Sequence, residues 1–256
     1  MVGGGMAPTP SLSRGERLED RLMVALDVPS LQQARSLVER LGRRVSFYKI
    51  GMWLLFLPGV DALIDGLIGS GMRVFLDYKM YDIGETVRAG VAAAARRGIS
   101  IVTVHGDPDM MRAAVEGRGD SGLRVFAISV LTSQDDVALR AMGYDRSLPE
   151  IIDLRVRHAA EAGCDGVIAS AADDPDAIRG RAGRPDLLVG TPGIRLAGAE
   201  SHDQKRAATP DAAIARGSDY LVVGRPITGA ADPAAAAETI IALMRQGQAA
   251  REQAVS

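Results

Sequence analysis

Eight short apolar runs alternate with helical patterns along this chain, and this alternation restricts the possible folds more than any other feature. The runs predict buried strands at residues 22–27, 47–50, 73–78, 100–105, 125–130, 166–169, 187–189 and 220–223. Helical patterns follow at residues 31–41, 60–68, 85–97, 108–116, 149–161, 174–179, 210–216 and 233–245. Short buried strands that alternate with helices pair in parallel through right-handed crossovers. Eight such units predict an α/β fold, a single (β/α)8 TIM barrel.

A doubly wound open sheet is the alternative fold for such a pattern. No G-x-G-x-x-G motif follows the first strand, so the dinucleotide fingerprint common in that fold is missing. The 256 residues suit one barrel, and no linker divides residues 21–245. We therefore expect a barrel domain over 21–247, a disordered N-terminal tail over 1–20 and a C-terminal tail over 248–256.

Composition argues against several classes of partner. The chain has 30 Lys and Arg against 32 Asp and Glu, so its net charge of −2 favours neither nucleic acid nor an anionic membrane. No apolar run approaches the roughly 18 residues of a membrane-spanning helix. Residues 1–20 lack the apolar core of a signal peptide. With one cysteine, Cys164, no intrachain disulfide can form, and we expect a cytoplasmic protein.

The most informative polar segment is FLDYKMYDIGET, residues 75–86, which begins as a strand and ends in a turn before a helix. Side chains two apart on a strand share a face, so Asp77 and Lys79 point the same way, and Asp82 follows one turn later. Functional residues of parallel barrels lie at the C-terminal ends of strands. Taken alone, however, a D-x-K-x-x-D string is more often a solvated salt-bridge cluster.

Other polar residues also fall at or just beyond predicted strand ends. They are Asp27, Lys49, His105, Thr132, Arg195 and Arg225. Two loops, 132–149 and 193–209, are longer than packing requires, and such loops are candidate lids or ligand clamps. This convergence on one end of the barrel predicts a binding site there.

Eight segments together resemble orotidine 5'-phosphate decarboxylases of the bacterial type. They are FLDYKMYDIGET (75–86), VALD (24–27), YKIG (48–51), VHG (104–106), LTS (131–133), TPGIR (191–195), DQKR (203–206) and VGRPI (223–227). The resemblance spans nearly the whole chain after residue 20. It implies conversion of orotidine 5'-phosphate to uridine 5'-phosphate and CO2 in pyrimidine nucleotide biosynthesis, with no metal and no cofactor.

The resemblance also assigns the catalytic centre to an alternating array of Lys49, Asp77, Lys79 and Asp82. Four charges packed together are tolerable only if their signs alternate, and such groups titrate as a coupled unit. The family implies that Lys79 donates a proton to C6 of the substrate. It further implies a homodimer with shared active sites, in which Asp82 and Thr86 of one chain complete the site that contains Lys79 of the other.

The substrate contacts implied by the family follow the parts of the nucleotide. Ribose contacts would come from Asp27, Lys49 and Thr86, a pyrimidine contact from Thr132, and phosphate contacts from Arg195, Gln204, Gly224 and Arg225. The loops after strands seven and eight commonly form a phosphate site in such barrels, which agrees with the last group. Structural alternatives exist, because Asp27 and Thr132 could cap local structure and Arg195 could be a surface arginine. For His105 a structural hydrogen-bonding role is the main expectation.

The sequence departs from many bacterial members at Tyr81 and at Gly84, where a proline is common. Glycine there loosens the turn through greater freedom of the unfolded chain, but neither change removes a charged group. The nearest alternative activities are a Mg-dependent sugar-phosphate decarboxylase and a hexulose-phosphate aldolase on the same barrel. Another alternative is a catalytically silent barrel that binds phosphate ligands. LTS, PGIR and DQKR together disfavour the first two, and the intact charged array disfavours the last.

Overall fold

The structure, a computed structural model, describes residues 16–198 and 206–255. Within these residues, eight parallel strands close into one barrel in chain order. The strands are β1 (Leu22–Ala25), β2 (Phe47–Gly51), β3 (Arg73–Met80), β4 (Ile101–Val104), β5 (Arg124–Ile128), β6 (Gly166–Ile168), β7 (Leu188–Thr191) and β8 (Tyr220–Val223). The predicted (β/α)8 barrel is confirmed, and every predicted strand boundary lies within about two residues of the observed one.

Helices surround the barrel and connect its strands. They are α1 (Leu31–Leu41), α2 (Val60–Gly69), α3 (Gly84–Arg96), α4 (Pro108–Arg118), α5 (Asp136–Ala141), α6 (Leu148–Ala162), α7 (Pro175–Ala182), α8 (Pro210–Ala215), α9 (Arg225–Thr228) and α10 (Pro233–Val255). The sequence analysis missed α5 and α9. Helix α5 lies inside the predicted loop 132–149, where the Asp135 side chain caps it by accepting a hydrogen bond from the Ala138 N–H at 3.0 Å.

Helix α10 is longer than predicted. It continues past the expected end at residue 245 through Val255, so the predicted tail over 248–256 is helical as far as Val255. Gln248 and Glu252 form an i,i+4 hydrogen bond on this extension, and Arg251 pairs with Asp176 of α7 at 2.8 Å. These contacts and the good helix formers of the segment explain the extra turns.

No helix within residues 16–198 and 206–255 has the length and apolar character needed to span a membrane. The longest of them, α10, carries charged side chains such as Glu238 and Arg245. The expectations of a cytoplasmic location and of no nucleic-acid partner stay predictions.

Alternate strand residues point into the barrel, and their chemistry changes along its axis. The lower part of the interior is an apolar cluster made of Met23, Ala25, Phe47, Phe75, Ile101, Phe126, Leu188, Tyr220 and Val222. The same alternation places Lys49, Asp77 and Thr103 on the inner face near the C-terminal ends of β2, β3 and β4. The outward faces pack against the helices through a larger aliphatic cluster. The polar residues at the C-terminal end therefore lie directly next to the apolar interior of the barrel.

The N-terminal end of the barrel is tied by a polar cluster around Glu16. Glu16 accepts hydrogen bonds from Arg73, the first residue of β3, and from the Tyr220 hydroxyl of β8 at 3.2 Å. Arg124 of β5 donates to the same Tyr220 hydroxyl. The predicted disorder of residues 1–20 is therefore wrong for 16–20, because barrel-end groups bind this segment. Residues 1–15 lie outside the described residues.

Gly166 of β6 provides a test of the interior packing. A Cβ at this position would lie 2.6 Å from the Leu188 carbonyl oxygen and 2.7 Å from Cζ of Phe126. We expect Gly166→Ala to lower the free energy of unfolding by about 1–3 kcal/mol, since these neighbours must shift. Gly180→Ala is the matched control: its Cβ meets nothing within 4 Å, and its helical position predicts a neutral or stabilising effect of up to about 1 kcal/mol. Equal unfolding midpoints for the two variants in urea would contradict this account of the core.

Candidate active site

Lys49, Asp77 and Lys79 form a row of alternating charge at the C-terminal mouth of the barrel. Asp77 Oδ1 accepts a hydrogen bond from Lys79 Nζ at 2.8 Å, and its Oδ2 lies 3.5 Å from Lys49 Nζ. Lys49 Nζ also donates to Asp27 Oδ2 at 2.7 Å. The side chains of Lys49 and Asp77 are only 9% and 16% exposed. Charges so far removed from water require partners of opposite sign, and the alternation supplies them.

A bulge in β3 shapes the centre of this row. Leu76 pairs with Val102 and Met80 with Val104, so residues 77–79 of β3 face the single residue Thr103 of β4. Lys79, in the bulge, has a φ of 52°, a left-handed conformation that non-glycine residues rarely adopt. The bulge thus turns the chain so that Lys79 does not follow regular strand geometry. Strained backbone of this kind concentrates at functional sites.

The pKa of Asp77 is lowered by its neighbours. Burial alone would raise the pKa, but the ammonium groups of Lys49 and Lys79 and the hydrogen bonds from Lys79 and Thr103 outweigh that effect. The Thr103 hydroxyl donates to Asp77 Oδ1 at 3.0 Å. Asp77 is therefore a carboxylate at neutral pH, next to two lysines.

The charged row lines a pocket of about 470 Å³ at the mouth of the barrel. Volumes of several hundred Å³ are typical of small-molecule sites. Eight of the predicted site residues line this pocket: Asp27, Lys49, Asp77, Lys79, Thr132, Arg195, Gly224 and Arg225. The structure therefore brings together residues that the sequence places on six different strand ends.

Gly51 gives Asp27 its place in this pocket. A Cβ at Gly51 would lie 2.3 Å from Asp27 Oδ1, so any residue other than glycine at this position of the YKIG motif would displace that carboxylate. Asp27 follows β1, and Gly51 is the last residue of β2. The backbone N–H of Leu26 donates to the Lys49 carbonyl at 2.9 Å and so joins the two segments. The VALD and YKIG motifs are thus two halves of one local arrangement.

Two arginines, Arg195 and Arg225, also line the pocket. Arg195 follows β7 and Arg225 begins α9 directly after β8. The backbone N–H of Arg195 donates to the Ala208 carbonyl at 2.9 Å, and this hydrogen bond fixes the start of the loop that follows β7. Two arginines in the same pocket as the lysine–aspartate row make part of it suited to an anion.

Sequence reasoning did not select several residues that also line the pocket. They are Ala25, Trp53, Phe75, Ile128, Val130, Leu131, Ser133, Ile168, Pro192, Gly193, Val222 and Thr228. Phe75 and Val222 share the inward parity of their strands, so the strand pattern could have identified them. Trp53 belongs to a short 3-10 helix after β2, and no sequence signal pointed to it.

Arg206 links three loops beside the pocket. Its guanidinium pairs with Asp173 and donates to the carbonyls of Val130 and Leu131 at 3.3 and 3.2 Å. Its own carbonyl accepts a hydrogen bond from the Ser170 hydroxyl at 2.8 Å. Val130 and Leu131 line the pocket, so Arg206, the last residue of the DQKR motif, supports the pocket wall.

The sequence model of the orotidine 5'-phosphate decarboxylase / HUMPS family matches residues 20–240. The chain belongs to this family. The orotidine 5'-phosphate decarboxylase of Methylobacterium radiotolerans is 51% identical over 223 residues, which cover 87% of this chain and 95% of that protein. The one from Rhodopseudomonas palustris (strain BisB5) is 47% identical over 227 residues, covering 89% and 95%.

Solved structures agree with this family assignment. The crystal structure of orotidine 5'-phosphate decarboxylase from Lactobacillus acidophilus superposes with a TM-score of 0.76 at 35% identity, covering 88% of this chain and 99% of that chain. An uncharacterized conserved protein from Geobacillus kaustophilus gives a TM-score of 0.74 at 34% identity. The fold, the motifs and the relatives thus point to the same family.

Two family positions, Asp82 and Thr86, do not line the pocket of the single chain. Asp82 is exposed, and its Oδ1 accepts a hydrogen bond from the Ile83 N–H at 2.7 Å; among the residues that the structure describes, Lys79 pairs with Asp77 and not with Asp82. Thr86, in the first turn of α3, is also exposed. Gln204 lies outside the described residues. The predicted four-charge array is therefore a three-charge row within one chain.

The structural hydrogen bond expected of the His105 side chain is not found among the described residues, because its buried Nδ1 has no hydrogen-bond partner there. Its ring lies 4.7 Å from the Tyr81 ring between centroids and is tilted by 54° to it, and the backbone N–H of His105 donates to the Met80 carbonyl at 2.9 Å. Burial lowers the pKa of His105, the positive charge of Arg155 lowers it further, and Asp107 opposes this effect. His105 is not among the residues that line the pocket, so it supports the 81–83 turn from outside.

The lowered pKa of Asp77 makes a prediction about acid stability. A carboxylate whose folded pKa is depressed stabilises the fold above its unfolded pKa, about 3.9, and loses that effect as pH falls through the folded value. The unfolding free energy of the wild type minus that of Asp77→Asn should be constant above about pH 5 and fall towards pH 3. Urea unfolding across this range measures the difference, with the exposed Asp120→Asn as a surface control. A constant difference for Asp77→Asn would contradict the depressed pKa.

Proposed function

We propose that this protein decarboxylates orotidine 5'-phosphate to uridine 5'-phosphate and CO2, as a step of pyrimidine nucleotide biosynthesis. The observation that carries this proposal is one pocket lined both by the Lys49–Asp77–Lys79 row of β2 and β3 and by Arg195 and Arg225, which follow β7 and β8. The substrate has the matching pattern, a carboxylated pyrimidine at one end and a phosphate at the other. The names and similarity of the relatives support the same reaction.

Lys79 is the proton donor in this proposal. Loss of CO2 breaks the bond between C6 and the carboxylate carbon and leaves the electron pair on C6, where no adjacent π system delocalises it. An ammonium beside C6 stabilises this charge as it develops and then transfers a proton to C6. Asp77, 2.8 Å from Lys79 Nζ, holds the ammonium in place. The Lys79 side chain is 34% exposed, so solvent can replace the proton after each turnover.

Asp77 also lies beside the position proposed for the substrate carboxylate. The two carboxylates repel each other there, and this repulsion disappears when neutral CO2 leaves. Lys49, 3.5 Å from Asp77 Oδ2, keeps the Asp77 carboxylate oriented. The row thus suits a transition state in which negative charge moves from the carboxylate to C6.

The remaining site residues are proposed to bind the phosphate, the ribose and the pyrimidine of the nucleotide. Arg195 and Arg225 would give charge-assisted hydrogen bonds to the phosphate, with the Gly224 backbone beside it and Gln204 added by family resemblance. Asp27, which accepts a hydrogen bond from Lys49, is proposed to bind the ribose hydroxyls. Thr132 follows β5 and is proposed to contact the pyrimidine. Binding energy from the phosphate end would position C6 against Lys79.

A homodimer with shared active sites is the proposed assembly. Asp82 and Thr86 are exposed and outside the pocket of their own chain, as expected for residues that complete a partner's site. Tyr81 and Ile83, on either side of Asp82, are 69% and 70% exposed, and large apolar side chains with such exposure are typical of covered surfaces. A two-fold axis would make the exchange reciprocal.

Lys79→Ala tests the proposed chemistry. Alanine keeps a Cβ, so the left-handed backbone at position 79 is equally disfavoured and the variant isolates loss of the ammonium. We expect kcat to fall by about 10²–10⁴-fold or more, measured by the change in absorbance on decarboxylation, while uridine 5'-phosphate still binds. Wild-type activity should be insensitive to EDTA, unlike that of Mg-dependent relatives on this barrel. Retention of more than about a tenth of kcat, a loss below about 1.4 kcal/mol, would exclude Lys79 as the proton donor.

Mixing two inactive variants tests the shared sites. Each Lys79→Ala/Asp82→Asn heterodimer would contain one doubly damaged site and one site with both wild-type residues. With random exchange, half of the dimers are mixed, so activity should recover to about a quarter of wild type.

The matched control mixes Lys79→Ala with Asp77→Asn, two residues that contact each other within one chain. No heterodimer of this pair has an intact site, so no recovery is expected. Absence of recovery in the first mixture, with subunit exchange confirmed by mass spectrometry, would refute shared sites and leave the decarboxylase proposal standing.

A further inference from the structure

Thr103 lies directly beneath the charged row and contacts two of its members. Its hydroxyl donates to Asp77 Oδ1 at 3.0 Å and accepts the backbone N–H of Lys79 at 2.9 Å. The residue is fully buried on the inner face of β4 and is not among those lining the pocket. Any effect on a bound ligand must therefore pass through Asp77 and Lys79.

The β3 bulge creates the need for such a group. Because three residues of β3 face one residue of β4 here, regular strand pairing offers the Lys79 N–H no carbonyl partner. A buried N–H without a partner is costly, and the Thr103 hydroxyl satisfies it. Pairing resumes at Met80, whose carbonyl accepts the His105 N–H at 2.9 Å. Thr103 thus bridges the gap in the sheet where Lys79 adopts its left-handed backbone.

The direction of the two hydrogen bonds links the carboxylate to the lysine backbone. A hydroxyl has one proton, and accepting the Lys79 N–H leaves that proton directed at Asp77 Oδ1. The same Oδ1 accepts the Lys79 ammonium at 2.8 Å. The hydroxyl, the carboxylate and Lys79 therefore form a closed ring of contacts that fixes where Lys79 Nζ lies.

We infer that Thr103 is a positioning residue, which holds Asp77 and the backbone of Lys79 in the relative orientation that the reaction requires. This inference rests on the proposed function for its catalytic consequence. Thr103 lies between two valines of β4 and belongs to none of the family segments quoted above. A purely structural threonine would need only one partner, and it would not have to contact both charged residues.

Thr103→Val removes the hydroxyl and keeps the shape. We expect kcat to fall by about 10- to 100-fold with KM changed by less than about threefold, the size expected for losing a hydrogen bond to a charged group. The low-pH limb of the kcat profile should move to higher pH, because Asp77 loses a donor that favours its charged form. Thr103→Ser, which restores the hydroxyl, should recover kcat to within about threefold of wild type.

Thr191→Val is the matched control. Thr191 is equally buried in β7, and its hydroxyl pairs with the Ser218 hydroxyl at 2.7 Å and with no charged group of the row. It should alter stability and leave kcat and its pH profile unchanged. If Thr103→Val does not fold, Thr103→Ala against Thr103→Ser makes the same comparison, because those two differ only in the hydroxyl.

A titration without substrate separates this inference from the proposed reaction. Carbon-13 NMR of labelled aspartate, with the Asp77 signal assigned through Asp77→Asn, should show the Asp77 midpoint at higher pH in Thr103→Val than in wild type or Thr103→Ser. Wild type that fails to decarboxylate orotidine 5'-phosphate overturns the proposed function alone. An unchanged Asp77 midpoint, or a Thr103→Val kcat within about threefold of an active wild type, overturns the positioning role.

Discussion

Neutralisation of charge inside the barrel mouth is the constraint on which the rest of the site depends. Asp77 is nearly enclosed, and it stays ionised because Lys49 and Lys79 lie within 3.5 and 2.8 Å of its oxygens. Removing one member of this row takes a partner away from a largely buried charge, which costs more than the loss of an exposed ion pair. The surrounding elements serve this requirement: β2 and β3 supply the lysines, and β4 supplies a hydroxyl beneath them.

The barrel meets this requirement with one rule, the two-residue period of its strands. Along β2 and β3 the inward side chains run from Phe47 to Lys49 and from Phe75 to Asp77, so each strand changes from apolar to charged within one period. The aromatic side chains exclude water from below, and the charged ones face the pocket above. This apolar interior has a low dielectric constant, which strengthens the electrostatic contacts among the charged side chains next to it.

The strands, most helices and seven of the eight predicted pocket residues could be predicted from periodicity and from strand ends, which are local. Gly224 and the roles of the site residues came from the family resemblance. Strand β8 and helix α1 have the predicted bounds. The β3 bulge was not predictable, because register between β3 and β4 is a property of two segments distant in the chain. Glu16 was missed for the same reason, since its partners are distant in sequence. Asp135, directly before α5, is a common N-cap residue, so the start of this helix could have been predicted from the sequence.

The left-handed backbone at Lys79 has a consequence for how this protein can be improved. Glycine adopts such a conformation freely, whereas a residue with a Cβ pays about 1 kcal/mol or more there. Glycine at position 79 would relieve this backbone strain, but it would also remove the ammonium that pairs with Asp77, so the gain in the backbone is opposed by the loss of the ion pair. Stabilising substitutions are therefore better sought at other positions, and variants at position 79 have to be screened for turnover as well as for heat resistance.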